Sequence, residues 1–85
     1  MSKFPKALRT LRRRYFYKQL ALANACDCSP AHISWLESGK RYPSCAMLHK
    51  LKVALLEARA AEREIAELLA EAQAEIIQQR FEGLE

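Results

Sequence analysis

The sequence predicts an all-α domain, a compact fold of four to five helices. Its 85 residues include only two glycines and three prolines, which leaves little material for turns. Residues 45–82 contain neither glycine nor proline and are rich in Ala, Glu, Leu and Arg, which are strong helix formers. A chain of this length forms one small domain. No stretch approaches the roughly 20 apolar residues of a membrane span, so we expect no membrane partner.

The charge is distributed unevenly along the chain. The net charge is +4, but residues 1–50 hold ten Lys and Arg against two acids, whereas residues 51–85 hold four against eight. A basic segment of this kind indicates binding to a polyanion such as nucleic acid. The acidic segment suits a solvated helix or a protein contact. The basic start of the chain is not followed by an apolar block, so we expect no secretory signal and a cytoplasmic protein.

The first helix is predicted over residues 4–14. Leu8 and Leu11 lie on one face at helical spacing, and basic residues occupy the other face. Pro5 fits the first turn, where its missing N–H would be unpaired in any case. The aromatic residues 15–17 form the connection. They are interpreted as cover for the core, with stacking on bases as the alternative.

Two short helices follow, over residues 18–26 and 30–37. Ser29 is a strong N-cap candidate for the second of them, and Pro30 suits its first turn. Gly39 is expected to end that helix, because glycine readily adopts the left-handed conformation of a helix stop. The small Ala23 allows the two helices to cross closely, with Ile33 and Leu36 filling the space between them. These features predict a helix-turn-helix, in which one helix braces another that lies in the major groove of DNA.

Ser44 is the expected cap of the C-terminal segment, residues 45–81. The pattern allows one helix or two, and a break near Leu56 is favoured because the hydrophobic positions change there. We therefore expect a DNA-binding unit at residues 1–56 and a long dimerisation helix within residues 57–85. An incomplete seven-residue repeat predicts the dimer interface. The predicted interface residues are Leu55, Ile65, Leu69, Ala72 and Ile76.

The stretch from the first helix to Ser44 resembles the Cro/C1-type helix-turn-helix family, also called the Xre family. The resemblance covers about residues 5–56. The matching residues are specific to the family when taken together, whereas any one of them alone is a weak signal. The matching residues are Arg9 and Arg12, Gln19, Leu22 and Ala23, Cys28 and Ser29, Ile33 and Ser34, Glu37, Gly39, Lys40 and Arg41, and Pro43 and Ser44.

Two positions depart from the family pattern. Asp27 stands where the family has a turn glycine, and Asp can adopt the left-handed conformation at some cost. Lys18 stands where the family has a Ser or Thr cap. The loss of that cap costs about 1 kcal/mol, unless the charge of Lys18 is used beside a phosphate. Neither departure touches the core pattern.

The resemblance implies a set of DNA contacts. Base contacts are expected from Gln19, Pro30, Ala31, His32, Ser34 and Trp35. Trp35 has an alternative, since its indole could instead pack on the loop at Tyr42 or on the core. Phosphate contacts are expected from Lys18, Ser29, Lys40, Arg41, Arg13 and Arg14, with Lys3 and Lys6 as further candidates. Arg12 and Glu37 are expected to form a structural salt bridge, and Ala23, Ile33 and Leu36 to be core.

The expected function is a sequence-specific transcriptional regulator. A homodimer on an inverted repeat would supply the affinity that one small domain lacks. The resemblance implies a repressor or autorepressor of the phage or mobile-element type. The alternative is an antitoxin-like module whose acidic C-terminal helix binds a partner protein, and a third possibility is a non-specific nucleic-acid binder. No motif of an enzyme is present, and no cofactor is expected.

The three cysteines do not change the predicted class, a DNA-binding regulator. Their odd number argues against a disulfide framework. A zinc site could be formed by Cys26, Cys28 and His32 together with Cys45 and His49. However, the spacing Cys-x-Cys is not the usual spacing of zinc-finger ligands. Small buried thiols in a helical core are the preferred interpretation, so no metal site is predicted.

Overall fold

The computed structural model describes the backbone of residues 3–83 and the side chains of residues 3–74. The described residues form five α-helices and no strand, so the all-α prediction is confirmed. Within this part of the chain, no helix combines the length and the apolar character needed to cross a membrane. The helices are α1 (Phe4–Tyr15), α2 (Gln19–Ala25), α3 (Pro30–Ser38), α4 (Cys45–Glu57) and α5 (Glu62–Gly83).

The helix boundaries follow local chemistry that the sequence predicted. The Ser29 hydroxyl accepts a hydrogen bond from the His32 amide at the start of α3, and Ser44 does the same for Met47 at the start of α4. Gly39 ends α3 in the left-handed conformation, with a φ of 78°. Lys18 makes no side-chain cap for α2, as expected.

A short turn separates α4 from α5, which confirms two helices in the C-terminal segment. Ala58 ends α4, and Arg59 adopts a φ of 64°, which turns the chain out of the helix. The Ala60 amide then donates to the Leu55 carbonyl at 2.9 Å and so closes the turn. The break falls just after Leu56, where the change in hydrophobic positions indicated it.

All five helices contribute to a single hydrophobic core. Helix α3 packs against both α1 and α2, while α5 packs against α1 and α4. Ala23, Ile33 and Leu36 are completely buried, as predicted, and the small side chain of Ala23 lets α2 approach α3. The largest completely buried side chains are Phe4, Leu8, Leu22, Ile33, Leu36, Leu51, Leu55 and Leu68.

The core extends into α5, which corrects the predicted dimer interface. Leu55, Ile65 and Ala72 are 1%, 4% and 0% exposed within the single chain, so they cannot also face a second copy. The seven-residue repeat therefore marks the face that α5 turns towards its own domain. Leu69 is only half-buried against the core. The side chain of Ile76 lies outside the described residues.

Candidate nucleic-acid interface

Helices α2 and α3 form the helix-turn-helix arrangement that the sequence predicted. Between them, Asp27 adopts a φ of 53°, so it does take the left-handed conformation expected at this turn. The Cys28 amide reaches back to the Ala23 carbonyl at 3.0 Å. The turn thereby fixes the position of Ser29, whose hydroxyl caps the N-terminus of α3.

A buried ion pair attaches α3 to α1. Arg12 Nε donates to Glu37 Oε2 at 2.7 Å, and Arg12 Nη2 donates to Glu37 Oε1 at 2.9 Å. Arg12 is 8% exposed and Glu37 is 3% exposed, so water screens the pair little. Hydrogen bonding to Glu37 raises the pKa of the Arg12 guanidinium above its usual value, although desolvation opposes the shift. The structural role expected for this pair is confirmed.

Glu37 also organises two neighbouring side chains. Arg9 Nη2 donates to the Glu37 carbonyl at 3.2 Å, and its Nε lies 3.8 Å from Glu37 Oε1. Gln19 Nε2, on α2, donates to the same Oε1 at 3.4 Å. Gln19 is half-buried, so the residue predicted as a base contact is held in a defined orientation beside α3.

Of the residues predicted to contact bases, five lie on α3, and Gln19 lies at the start of α2. Pro30, Ala31 and Trp35 are exposed, while His32 and Ser34 are half-buried. Ile33 and Leu36 face the core from the opposite side of the helix. The first half of α3 therefore presents two small apolar groups, an imidazole, a hydroxyl and an indole along about one and a half turns.

Trp35 is exposed and also contacts the loop after α3, as its second sequence-based interpretation expected, while its contact with bases stays a prediction. Its side chain is 38% exposed, and the Arg41 guanidinium lies over the ring at 4.6 Å from the centroid. The loop after α3 folds back to create this contact, since the Lys40 and Arg41 amides donate to the Trp35 carbonyl at 3.0 and 3.4 Å. The Arg41 cation is thus placed by the indole, as expected of a cation–π pair.

The residues predicted as phosphate contacts are all exposed, namely Lys18, Ser29, Arg13, Arg14, Lys40 and Arg41. Arg14 also has a partner within the chain, because its Nη1 is hydrogen-bonded to Glu64 on α5. That carboxylate also accepts a hydrogen bond from the Tyr15 hydroxyl. Arg14 therefore helps to fasten α5 to α1, while 57% of its side chain stays accessible and its phosphate contact stays a prediction.

The exposure of Tyr17 was not predicted from the aromatic triplet, for which core cover was preferred and stacking on bases was the alternative. Tyr15 and Phe16 pack against the core, as interpreted, but Tyr17 is 79% exposed. Its φ of 69° is a second unusual feature. An aromatic triplet at a helix connection gives no signal of which ring is left outside. Only the backbone conformation decides this.

The cysteines differ in their surroundings. Burial raises the pKa of the Cys26 thiol to about 11 and also raises that of Cys28, with Lys50 opposing the shift at both positions. Cys45 is exposed. Cys28, His32 and Lys50 line one pocket, but no three His, Cys, Asp or Glu residues come together as a metal site within the described part of the chain.

Comparison of the chain with models of known protein families, with curated proteins and with solved structures found no match. The functional assignment must therefore come from the arrangement of the residues themselves.

Proposed function

We propose that this protein is a sequence-specific double-stranded DNA-binding regulator of the Cro/C1 type. The observation that carries the proposal is the outer face of α3. Pro30, Ala31 and Trp35 are exposed there, while the inner face is fixed to α1 through Arg12 and Glu37. A helix held rigidly from behind, with small and polar groups in front, suits insertion into the major groove.

The chemistry of the outer face is suited to reading base edges. Pro30 and Ala31 offer apolar contacts of the kind made with thymine methyl groups, and His32 and Ser34 offer hydrogen bonds. Gln19 stands beside them with its amide nitrogen held by Glu37. The exposed cations Lys18, Lys40 and Arg13 would neutralise phosphates on either side of the groove.

A homodimer on an inverted repeat remains part of the proposal. One such domain reads only a few base pairs, whereas two-fold pairing doubles the contacts. Of the predicted interface, Leu69 on α5 is the member that the described structure leaves partly accessible. Occlusion of a promoter by a cytoplasmic repressor or autorepressor of a mobile element is the simplest mechanism for such a dimer.

The test begins with selection of bound sequences from random duplex DNA, followed by titration of the selected duplex. Trp35→Ala and Gln19→Ala should each weaken binding about tenfold or more, the effect of losing a base contact. Gln73→Ala, the same change as Gln19→Ala but on the exposed side of α5, should bind like the wild type. Equal affinity for selected and scrambled duplexes at moderate salt would refute sequence-specific binding.

A second candidate function is an antitoxin-like module that binds a basic partner protein. The observation that favours it is the acidic side of α5, where Glu62 and Glu67 are exposed. Light scattering distinguishes the two proposals. A chain that is monomeric at micromolar concentration and gains a stable partner from a neighbouring gene product would support the second.

A further inference from the structure

Tyr17 combines two features that a small domain rarely keeps without a reason. It is the most exposed of the large hydrophobic residues described, at 79%. Its backbone also lies in the left-handed region, with a φ of 69°, which costs free energy for any residue with a Cβ atom. Glycine would avoid that cost and remove the exposed ring. An outlier of this kind is a reason to look for a functional role.

The main chain of Tyr17 is fixed relative to α3. Its amide donates to the Arg12 carbonyl at 2.8 Å, and Arg12 Nη1 donates to the Tyr17 carbonyl at 2.9 Å. The same guanidinium is bonded to Glu37 on α3, and Glu37 accepts from Gln19. Arg12 and Glu37 together therefore link the Tyr17 backbone, Gln19 and α3 through hydrogen bonds.

The side chain of Tyr17 is not needed for the core. Tyr15 and Phe16 pack against the hydrophobic cluster, but Tyr17 is not among the residues that do so. Its phenol combines a ring with an O–H donor, and tyrosine is one of the side chains that bond to DNA phosphates. Next to it in sequence are the exposed cation of Lys18 and the half-buried amide of Gln19.

We propose that the Tyr17 hydroxyl donates a hydrogen bond to a phosphate oxygen of double-stranded DNA while α3 occupies the adjacent major groove. This inference rests on the proposed function. It adds a second neutral contact, beside the hydroxyl of Ser29, to a set that otherwise consists of cations, and it explains why the strained conformation carries a tyrosine. The paired bases of a duplex are stacked on one another, so the backbone rather than a base face is the partner available to the ring.

The experiment measures the affinity for the selected duplex as a function of salt concentration, together with the melting temperature. Tyr17→Phe removes only the hydroxyl, and Tyr17→Gly also relieves the backbone. Lys18→Gln removes the neighbouring charge. Arg59→Gly is the matched control, because Arg59 has nearly the same φ, 64°, is exposed, and lies in the turn between α4 and α5.

We expect Tyr17→Phe to bind about tenfold more weakly, the effect of losing one hydrogen bond to a charged group. The slope of log affinity against log salt should not change, because the phenol is neutral, whereas Lys18→Gln should reduce it by about 0.9. Tyr17→Gly should lose at least as much affinity as Tyr17→Phe with an equal or higher melting temperature. Arg59→Gly should keep both affinity and melting temperature.

Two results would overturn the inference. If Tyr17→Phe binds the duplex as tightly as the wild type, the Tyr17 hydroxyl makes no hydrogen bond to DNA. If Tyr17→Gly lowers the melting temperature, the ring has a structural role instead. Neither result affects the proposed function, which fails separately if the wild-type chain shows no preference for the selected duplex.

Discussion

Arg12 on α1 and Glu37 on α3 form an ion pair with two hydrogen bonds inside a domain that has very little interior. Burying two charges is costly, and the attraction between them compensates only when the remaining donors and acceptors are also bonded. That condition holds here, because Nη1, the remaining guanidinium nitrogen of Arg12, donates to the Tyr17 carbonyl. Among the described residues, no buried side-chain nitrogen or oxygen lacks a partner.

Removing one member of this pair should destabilise the protein more than removing both. In Glu37→Leu the Arg12 charge stays buried without its partner, and we expect the free energy of unfolding to fall by about 3–5 kcal/mol. Arg12→Met combined with Glu37→Leu should recover part of that loss. Urea denaturation followed by circular dichroism measures both. Arg9→Met, on the exposed cation that touches Glu37 from outside, is the control and should cost less than about 1 kcal/mol.

Local signals explain why much of this fold could be predicted. A serine N-cap accepts a hydrogen bond from a nearby amide through its hydroxyl, and a glycine after a helical run ends the helix through its own backbone. Ser29 and Gly39 were therefore assigned correctly from sequence. Asp27 was placed in the left-handed turn for the same reason. Ala23, Ile33 and Leu36 were predictable because spacing along a helix defines one face.

What could not be predicted concerns partners that are distant in sequence. A hydrophobic repeat shows that Ile65 and Ala72 share a face of α5, but not whether that face meets its own domain or a second copy. The charge of Arg14 indicates an anionic partner without choosing between a phosphate and Glu64, 50 residues away. The exposure of Tyr17 depends on one backbone dihedral angle, which residues 15–17 do not specify.

Arg41 should determine the fluorescence of the protein, because Trp35 is the sole tryptophan in the chain. The guanidinium lies over the indole at 4.6 Å from the ring centroid and covers part of one face. Arg41→Gln should expose that face to water and move the emission to longer wavelength in the free protein. Lys40→Gln, a neighbouring charge removal, should leave the emission unchanged. Identical spectra for the two variants would show that the stacking is absent in solution.

Glu64 should make the attachment of α5 dependent on pH. Hydrogen bonding from Tyr15 is the largest effect on the pKa of Glu64 and lowers it. Desolvation comes next and opposes that shift, and the charge of Arg14 then lowers the pKa further. A carboxylate with a lowered pKa in the folded state stabilises the fold above its unfolded pKa, which is about 4.3. That contribution is lost as the pH falls through the lower, folded value.

Glu64→Gln should therefore melt at a lower temperature than the wild type at pH 7, and the difference should be smaller at pH 3, because the carboxylate gains protons as the pH falls below about 4.3. Thermal melts across this range measure the difference at each pH. Glu67→Gln is the control, since Glu67 is exposed on the same helix. The role assigned to Glu64 would be contradicted if its variant differed from the wild type by the same amount at both pH values.

Two substitutions on α5 separate its role in the fold from its proposed role in dimerisation. Ile65 is 4% exposed inside the single chain, so Ile65→Glu places a charge in the core and should unfold the domain at any concentration. Leu69 is half-buried at the edge of the core, so Leu69→Glu should retain the helical circular dichroism signal. If α5 pairs two copies, the same variant should shift the mass measured by light scattering from dimer to monomer and weaken binding to an inverted repeat. A folded Leu69→Glu variant that remains dimeric would show that the dimer interface does not include this face of α5. That result would not bear on the proposed contacts between α3 and DNA.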